Sequence, residues 1–451
     1  MAAARFALHR PRRFARWWPM FSPFGFRLPL WFSLMSVGAT GFGAPQPMAL
    51  LHLDKTVLEV SIVSDGFDAP IDLAFGPDGY LWCTQLEGTG WRIDPVTGGR
   101  EEVLRLPDAF HRKSHGLQSL THHPRFATEP WVYLHYVYQV PTHGAEEIVR
   151  SRVVRCRWDG KKLGPPEIIF DNIPGRALHN GSRLLFGPDE KLYLTTGDAG
   201  NPPASQDPAV LTGKVLRFNP DGTIPADNPI PGSPVWTLGH RNAQGLVFAA
   251  NGRTYLSEHG ANNDDEVNLI ERGHNYGWPV IEGFADRPGE IEAAGGKTFT
   301  APLRAWTPTI ATAGLAYYDH PAIPEWHNAL LLANLKGRAL RVLELNAAGD
   351  QIDRERIFLQ LHLGRLRDVV IAPTGDVYLL TSNADWHPRF QPWMYENLQP
   401  GPDHIVRLHP VDATEAARLA AIPPVADSVV VLAGASASDE REWESERVQL
   451  T

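Results

Sequence analysis

The chain has 451 residues, 43% hydrophobic and 21% charged, with 40 Gly, 39 Pro, 14 Trp and two Cys, which excludes wholesale disorder and a disulfide framework. Its net charge of −9 excludes general nucleic-acid binding, which needs a basic face. Gly and Pro recur without a fixed period, which excludes collagen and implies many turns between short strands.

Residues 1–53 carry six Arg and no acid. Arg5, Arg10, Arg12, Arg13 and Arg16 precede an uncharged run from Leu28 to Gly43, followed by Ala44. Basic, then apolar, then small is the order of an export signal. Residues 1–44 are therefore expected to be removed, and the protein to be periplasmic or secreted. A membrane anchor needs about 20 apolar residues; Arg27, Pro29 and the glycines of this run argue against a stable one. The basic part is long, and two explanations stand: Arg12-Arg13-Phe14 is a twin-arginine signal, or translation starts at Met20. The plain alternative is an amphipathic helix of the folded domain.

A phrase of turn followed by apolar strand then recurs. It reads Pro77-Asp78-Gly79-Tyr80-Leu81-Trp82, Pro188-Asp189-Glu190-Lys191-Leu192-Tyr193, Ala250-Asn251-Gly252-Arg253-Thr254-Tyr255 and Pro373-Thr374-Gly375-Asp376-Val377-Tyr378. Looser versions run from Pro124 to Trp131–Leu134 and from Pro321 to Leu330–Leu332. Asp-Gly or Asn-Gly before an aromatic and β-branched run is a hairpin signal. Six units of about 60 residues predict an all-β chain, a six-bladed β-propeller of four-stranded antiparallel blades over residues 52–410, with its site at the mouth of the central channel. A pair of β-sandwiches would not explain the spacing. Residues 411–451 are Ala-rich and then acidic, which predicts one short helix over 413–421 and otherwise a solvated tail. Cys83 and Cys156 form either one disulfide or two buried thiols.

The polar residues with chemical potential follow in order. His179 stands before one blade strand and Asp198 just after the next, so a hairpin brings them together; a carboxylate orients an imidazole for proton transfer. On its own, His179 would be a solvated loop residue. Arg241, in Gly239-His240-Arg241-Asn242, suits an oxyanion or else a surface ion pair. Four carboxylates lie between Glu258 and Glu266, and such a cluster calls for a cation or an arginine; calcium suits it, although the EF-hand spacing is missing. Arg365 and Arg367 alternate along a strand. With Lys336 they would suit a ligand with several carboxylates. No Gly-x-Ser-x-Gly elbow, Walker loop or zinc His-Glu-x-x-His helix is present.

Taken in order, His179-Asn180-Gly181-Ser182-Arg183, Gly197-Asp198, Gly239-His240-Arg241-Asn242, Glu258-His259-Gly260, Asp264-Asp265-Glu266-Val267-Asn268, Asn275-Tyr276-Gly277-Trp278-Pro279 and Arg365-Leu366-Arg367-Asp368 resemble the soluble aldose dehydrogenases of the glucose/sorbosone type that depend on pyrroloquinoline quinone (PQQ). The resemblance spans residues 60–408 and implies the same six-bladed fold. It implies His179 as the base that takes the proton of the sugar's anomeric hydroxyl, with the C1 hydride passing to the quinone, and Asp198 as its orienting carboxylate. Arg241 and Asn242 match contacts to the quinone oxygens, and Lys336, Arg365 and Arg367 match the cradle of its carboxylates. The carbonyls of Gly260 and Ala261 match ligands of a Ca2+ ion that polarises the quinone. An aldose substrate and an external electron acceptor are the implied partners.

Three departures imply a divergent substrate: Ala261 where the family usually has Pro, Ser114-His115-Gly116-Leu117-Gln118 where it often has Gln followed by Asn or Gly before Gly-Leu-Leu, and Thr312-Ala313-Gly314, read as a substrate-side loop, where Pro-Ser-Gly is common. Two other functions fit the scaffold. A calcium-dependent propeller lactonase or esterase would not need the three cations together. A non-catalytic extracellular binding propeller would not need His179.

Overall fold

A computed structural model describes residues 45–432 apart from 142–147, 396–397, 399–401, 423 and 426–428. The expected export segment, residues 1–44, and the acidic run after residue 432 lie outside the described residues. The rest folds into six antiparallel sheets, each of four strands at least. Their inner strands are Pro70–Phe75, Leu117–His122, Leu184–Phe186, Ala243–Phe248, Thr312–Tyr318 and Leu366–Ile371. Each inner strand packs on the next, and the last returns to the first. This is the six-bladed propeller.

The recurring phrase is the turn between the first and second strands of a blade. Its chemistry explains the repetition. Asp78 Oδ1 accepts from Tyr80 N at 3.3 Å and from Trp82 Nε1 at 3.1 Å. Asp189 accepts from Lys191 N and from the Tyr193 hydroxyl, and Asn251 Nδ2 donates to the Tyr255 hydroxyl at 2.9 Å. In each case a turn side chain closes the loop locally and anchors the aromatic four residues on.

The hydrophobic core is divided into wedges between neighbouring blades. Trp82 and Leu104 of the first blade pack with Leu120 and Val154 of the second, and Tyr133 of the second packs with Leu194 and Phe218 of the third. Leu73 and Leu81 pack with Tyr378 and Ile405 of the last blade, which closes the ring. Cys83 is buried in that last wedge and Cys156 in the wedge between blades one and two, and both are free thiols.

The two ends of the chain extend the expected boundaries. Val57–Phe67 pairs with Asp403–Val411, so the last blade is completed by a strand from near the N-terminus, and Gln46–His52 adds a fifth strand outside it. Beyond Val411, a helix covers only Ala413–Arg418, capped by the Asp412 carboxylate. Val429–Leu432 then pairs with Ile352–Phe358 as a fifth strand of blade five. The segment after 410 is thus not wholly a solvated tail, because four apolar residues there find an unpaired sheet edge.

Near the axis, Arg183 joins three blades. Its Nη1 contacts Asp72, and its Nη2 lies 2.8 Å from Asp368 Oδ1. Ser119 Oγ and Leu120 N of blade two also donate to Asp72 Oδ2, and Leu73 N donates to Asp368 Oδ2 at 2.9 Å. Gly314 is required beside this cluster, since a Cβ there would lie 1.9 Å from Asp368 Oδ1.

Candidate active site

Five of the six inner strands shift register near their start, at Pro70/Asp72, Leu117/Ser119, Ala243/Gly245, Thr312/Leu315 and Leu366/Asp368. A bulge turns one extra side chain out of the sheet alternation. The residues so released include Ile71, Gln244 and Arg367, and all three line one cavity of ≈ 270 Å³. Arg365 and Arg367 were expected to share a face by strand alternation. They do meet, but because the bulge re-aims Arg367; Arg365 itself precedes the strand.

His179, Arg241, Asn242, Gly260, Ala261, Lys336, Arg365 and Arg367 line the same cavity. His179 has φ 56, a left-handed backbone that costs energy in a non-glycine residue. Several contacts hold it there. Asn180 bonds Arg176 through both ends of its amide, Gly181 N donates to Asn242 Oδ1 at 3.2 Å, and Ala199 N donates to His179 O at 3.0 Å. Gly197 allows this approach, for a Cβ there would lie 2.1 Å from His179 O.

Asp198 lies behind the cavity and is buried. Its Oδ1 lies 2.8 Å from His179 Nδ1 and accepts from Gly200 N at 2.8 Å, while its Oδ2 accepts from Trp278 Nε1 at 3.0 Å. Burial pulls its carboxyl upward, but the His179, Gly200 and Trp278 bonds outweigh that and hold it below the usual value. An ionised carboxylate only accepts, so Nδ1 carries the imidazole proton. Arg241 Nη2 lies 3.3 Å from His179 Nε2, and a guanidinium only donates. Nε2 is therefore the basic nitrogen.

Arg241 is itself positioned. Glu258 Oε2 accepts from Arg241 N at 2.8 Å, Glu258 Oε1 accepts from His240 Nδ1 at 2.9 Å, and the Arg241 guanidinium lies 5.3 Å from the Trp278 ring centroid. Of the four carboxylates between 258 and 266, Glu258 and Glu266 share Asn268 Nδ2, which lies 3.0 Å from an oxygen of each. Asp264 bonds Arg287 and Thr307, Asp265 accepts from Gly260 N and Ile310 N, and Glu266 accepts from Asn268 and Gly283 N. Backbone N–H groups and an arginine offset the charge of Asp264 and Asp265, whereas burial and then the Glu258 carboxylate push Glu266 well above the usual carboxylate value. Among the described residues, no group of three or more His, Cys, Asp or Glu could hold a metal. Burial pushes Asp265 up to about 6 despite its backbone donors.

On the opposite wall, Asp385 bridges the two arginines. Its Oδ2 lies 2.6 Å from Arg365 Nη2 and 3.2 Å from Arg367 Nη2. Arg365 also donates to Ser382 O at 3.0 Å and to the Tyr395 hydroxyl, and Arg367 Nη1 donates to Gln244 Oε1 at 2.7 Å. Exposed Lys336 reaches Thr309 Oγ1 at 3.1 Å. Asp385, Tyr395 and Gln244 are absent from the sequence reading. Asp385 precedes a five-residue helix in a stretch without motif, and nothing local marks it. Trp278 stood in a quoted motif but had no role until its contact with Asp198 gave one.

Two sequence readings change here. Thr312-Ala313-Gly314 is not a substrate-side loop; it opens an inner strand, with Thr312 Oγ1 donating to Glu258 O and Ala313 O accepting from Ser257 Oγ. Ser114 does line the cavity, whereas Gln118 Nε2 donates to Ser114 O at 3.0 Å and fixes that loop.

Three buried polar atoms of lining residues have no hydrogen-bond partner: Arg241 Nε, Arg367 Nε and His259 Nε2. Burial lowers both arginines from the ordinary guanidinium value. Burial, then Arg241 and Arg367, also lower His259 well below the usual histidine value, so its imidazole stays neutral. The cavity sets the desolvated donors of Arg241 and Arg367 facing a basic nitrogen. Such an arrangement suits an anionic, acceptor-rich group held beside a substrate hydroxyl.

The family model described as glucose/sorbosone dehydrogenase matches residues 67–387. Quinoprotein glucose dehydrogenase B of Acinetobacter calcoaceticus is 30% identical over 407 residues, covering 72% of this chain and 85% of that protein. Protein slr1608 of a Synechocystis strain is 36% identical, covering 74% and 86%. The solved PQQ-bound aldose sugar dehydrogenase of Streptomyces coelicolor superposes with a TM-score of 0.65 at 33% identity, covering 78% of this chain and 98% of that one. The chain is an enzyme of the glucose/sorbosone dehydrogenase family.

Proposed function

We propose that the protein is a quinoprotein sugar dehydrogenase that oxidises the C1 hydroxyl of an aldose to the lactone, with PQQ as cofactor. The observation that carries this reading is the convergence of His179 Nε2, the unpartnered donors of Arg241 and Arg367, and the cations Lys336 and Arg365 on one cavity. When bound, the quinone accepts the hydride that leaves C1.

The residues present fit that group. Arg365, Arg367 and Lys336 would set three cations against its three carboxylates, and the unpartnered Arg367 Nε is a donor in want of an acceptor. Arg241 and Asn242 would meet the quinone oxygens. Gly260 and Ala261 would offer backbone carbonyls to a Ca2+ ion, the donor type that a hard cation takes. Such a site needs no carboxylate cluster.

The protein's own chemistry lies in the proton. His179 Nε2 takes the anomeric hydroxyl proton while Asp198 stabilises the imidazolium that forms. A sugar hydroxyl entering at Nε2 displaces the Arg241 hydrogen bond, which frees that guanidinium for an oxygen gaining negative charge. Trp278 and Gly200 keep Asp198 ionised and aligned.

Electrons then leave to an external acceptor. The basic, apolar and small order of residues 1–44 supports export to the periplasm or beyond, and among the described residues no helix is long and apolar enough to cross a membrane. The experiment is reconstitution. Protein from a host lacking PQQ, supplied with PQQ and Ca2+, is expected to reduce a dye with an aldose from a panel of reducing sugars. Silence across the panel overturns the reading.

A further inference from the structure

A second cavity of ≈ 330 Å³ adjoins the first and shares Lys113 and Trp386 with it. That volume is in the range of small-molecule pockets, about 300–1,000 Å³. Its lining differs in kind from that of the first. Trp386 and Phe390, from the helix Trp386–Phe390, supply aromatic wall, and Arg112, Lys113 and Arg389 supply cations. No carboxylate lines it, whereas Asp265 and Asp385 line the first cavity.

The charges are unequal. Asp68 pairs with Arg389. Lys113 has no carboxylate partner among the described residues; its Nζ lies 5.3 Å from the Trp386 ring centroid. Lys113 also has φ 62, a strained backbone that sets its side chain at the junction of the two cavities. Phe390 is 63% exposed, an aromatic surface without cover beside a cationic recess.

We propose that this second cavity is a subsite for the next ring of a reducing oligosaccharide, and that this ring bears a carboxylate. The inference rests on the first cavity being the aldose site. With the reducing C1 at His179, the glycosidic neighbour crosses into the second cavity beside Lys113 and Trp386, which line both. Its apolar face lies against Trp386 and Phe390, and its carboxylate accepts from the Lys113 ammonium. A neutral second ring gains only the aromatic contact.

The test uses holoenzyme reconstituted with PQQ and Ca2+. Glucose, cellobiose and maltose are compared with the two disaccharides whose non-reducing C6 is a carboxylate. The acidic partner of at least one pair is expected to show a kcat/KM about 10-fold or more above its neutral counterpart, and the ratio should shrink as salt rises. Lys113→Gln should lower kcat/KM for the acidic disaccharide roughly 10- to 100-fold, the factor for one lost charge-assisted hydrogen bond. Phe390→Ala should weaken the disaccharides and leave glucose unchanged; its exposure means that folding is not at stake. Equal kcat/KM within both pairs overturns the subsite while leaving glucose oxidation, and so the function proposed above, intact. If Lys113→Gln and Phe390→Ala change only the KM of the electron-accepting dye, the cavity docks the acceptor and the proposal fails. No turnover of any aldose ends both.

Discussion

Asp385 Oδ2 lies 2.6 Å from Arg365 Nη2, and both residues are buried. Each guanidinium nitrogen of Arg365 has a protein partner, whereas Arg367 next to it keeps an unpartnered Nε. Both line the cavity, but Arg365 also ties Asp385, Ser382 and Tyr395 together.

Arg367→Ala should weaken PQQ binding with little effect on folding, since the lost bonds, about 1.5–3 kcal/mol, are made to the cofactor. Arg365→Ala should cost about 3–5 kcal/mol of stability, because it strips Asp385 of its closest cation. Cofactor titration beside urea denaturation separates the two. Equal stability losses would return both arginines to a single structural role.

His179→Gln should keep fold and PQQ affinity while turnover drops by about 10²–10⁴, the usual contribution of a general base. Added PQQ or Ca2+ should not restore it. Asp198→Asn should also slow turnover, because the amide removes the negative charge that stabilises the imidazolium. Near-normal turnover in His179→Gln would end the mechanism.

Arg183→Met should destabilise the protein by about 3–5 kcal/mol, since Asp72 and Asp368 would be left facing each other near the axis. Burial already pushes Asp72 up to about 7 against the pull of Arg183. Adding Asp72→Asn to Arg183→Met should recover part of the loss. A double variant less stable than the single would show that the cluster is held by something other than charge.

His135 is fully buried, with no hydrogen-bond partner on either ring nitrogen, and burial lowers it to about 3. The unfolded chain binds a proton there below about 6.5, so between about 3 and 6.5 unfolding takes up a proton and stability rises with pH. His135→Leu should flatten that dependence by up to about 1.4 kcal/mol per pH unit. Urea midpoints of both proteins at pH 5 and pH 7 measure it; parallel shifts would mean that His135 takes up its proton in the folded protein as well.

If the N-terminal segment is an export signal, mature protein should begin near residue 45. N-terminal sequencing that still reads from Met1 would remove export from the account.

The sequence alone determined the blade count, because the turn phrase recurs in every blade and three of the six inner hairpins are closed by their own turn residues. Asp78 with Trp82, Asp189 with Tyr193 and Asn251 with Tyr255 are contacts four residues apart, so they leave a local signature. It likewise joined His179 to Asp198, since one hairpin lies between them. Only the tertiary structure decided the rest. The strand that completes blade six comes from the far end of the chain, and Asp385 reaches Arg365 and Arg367 from another loop. The second cavity forms where residues 111–113 meet Trp386–Phe390. Those contacts span tens to hundreds of residues, and their partners were chosen by ring closure and by the bulges of the inner strands. Neither effect leaves a pattern in a window of sequence, because both depend on where a blade sits rather than on what its residues prefer locally.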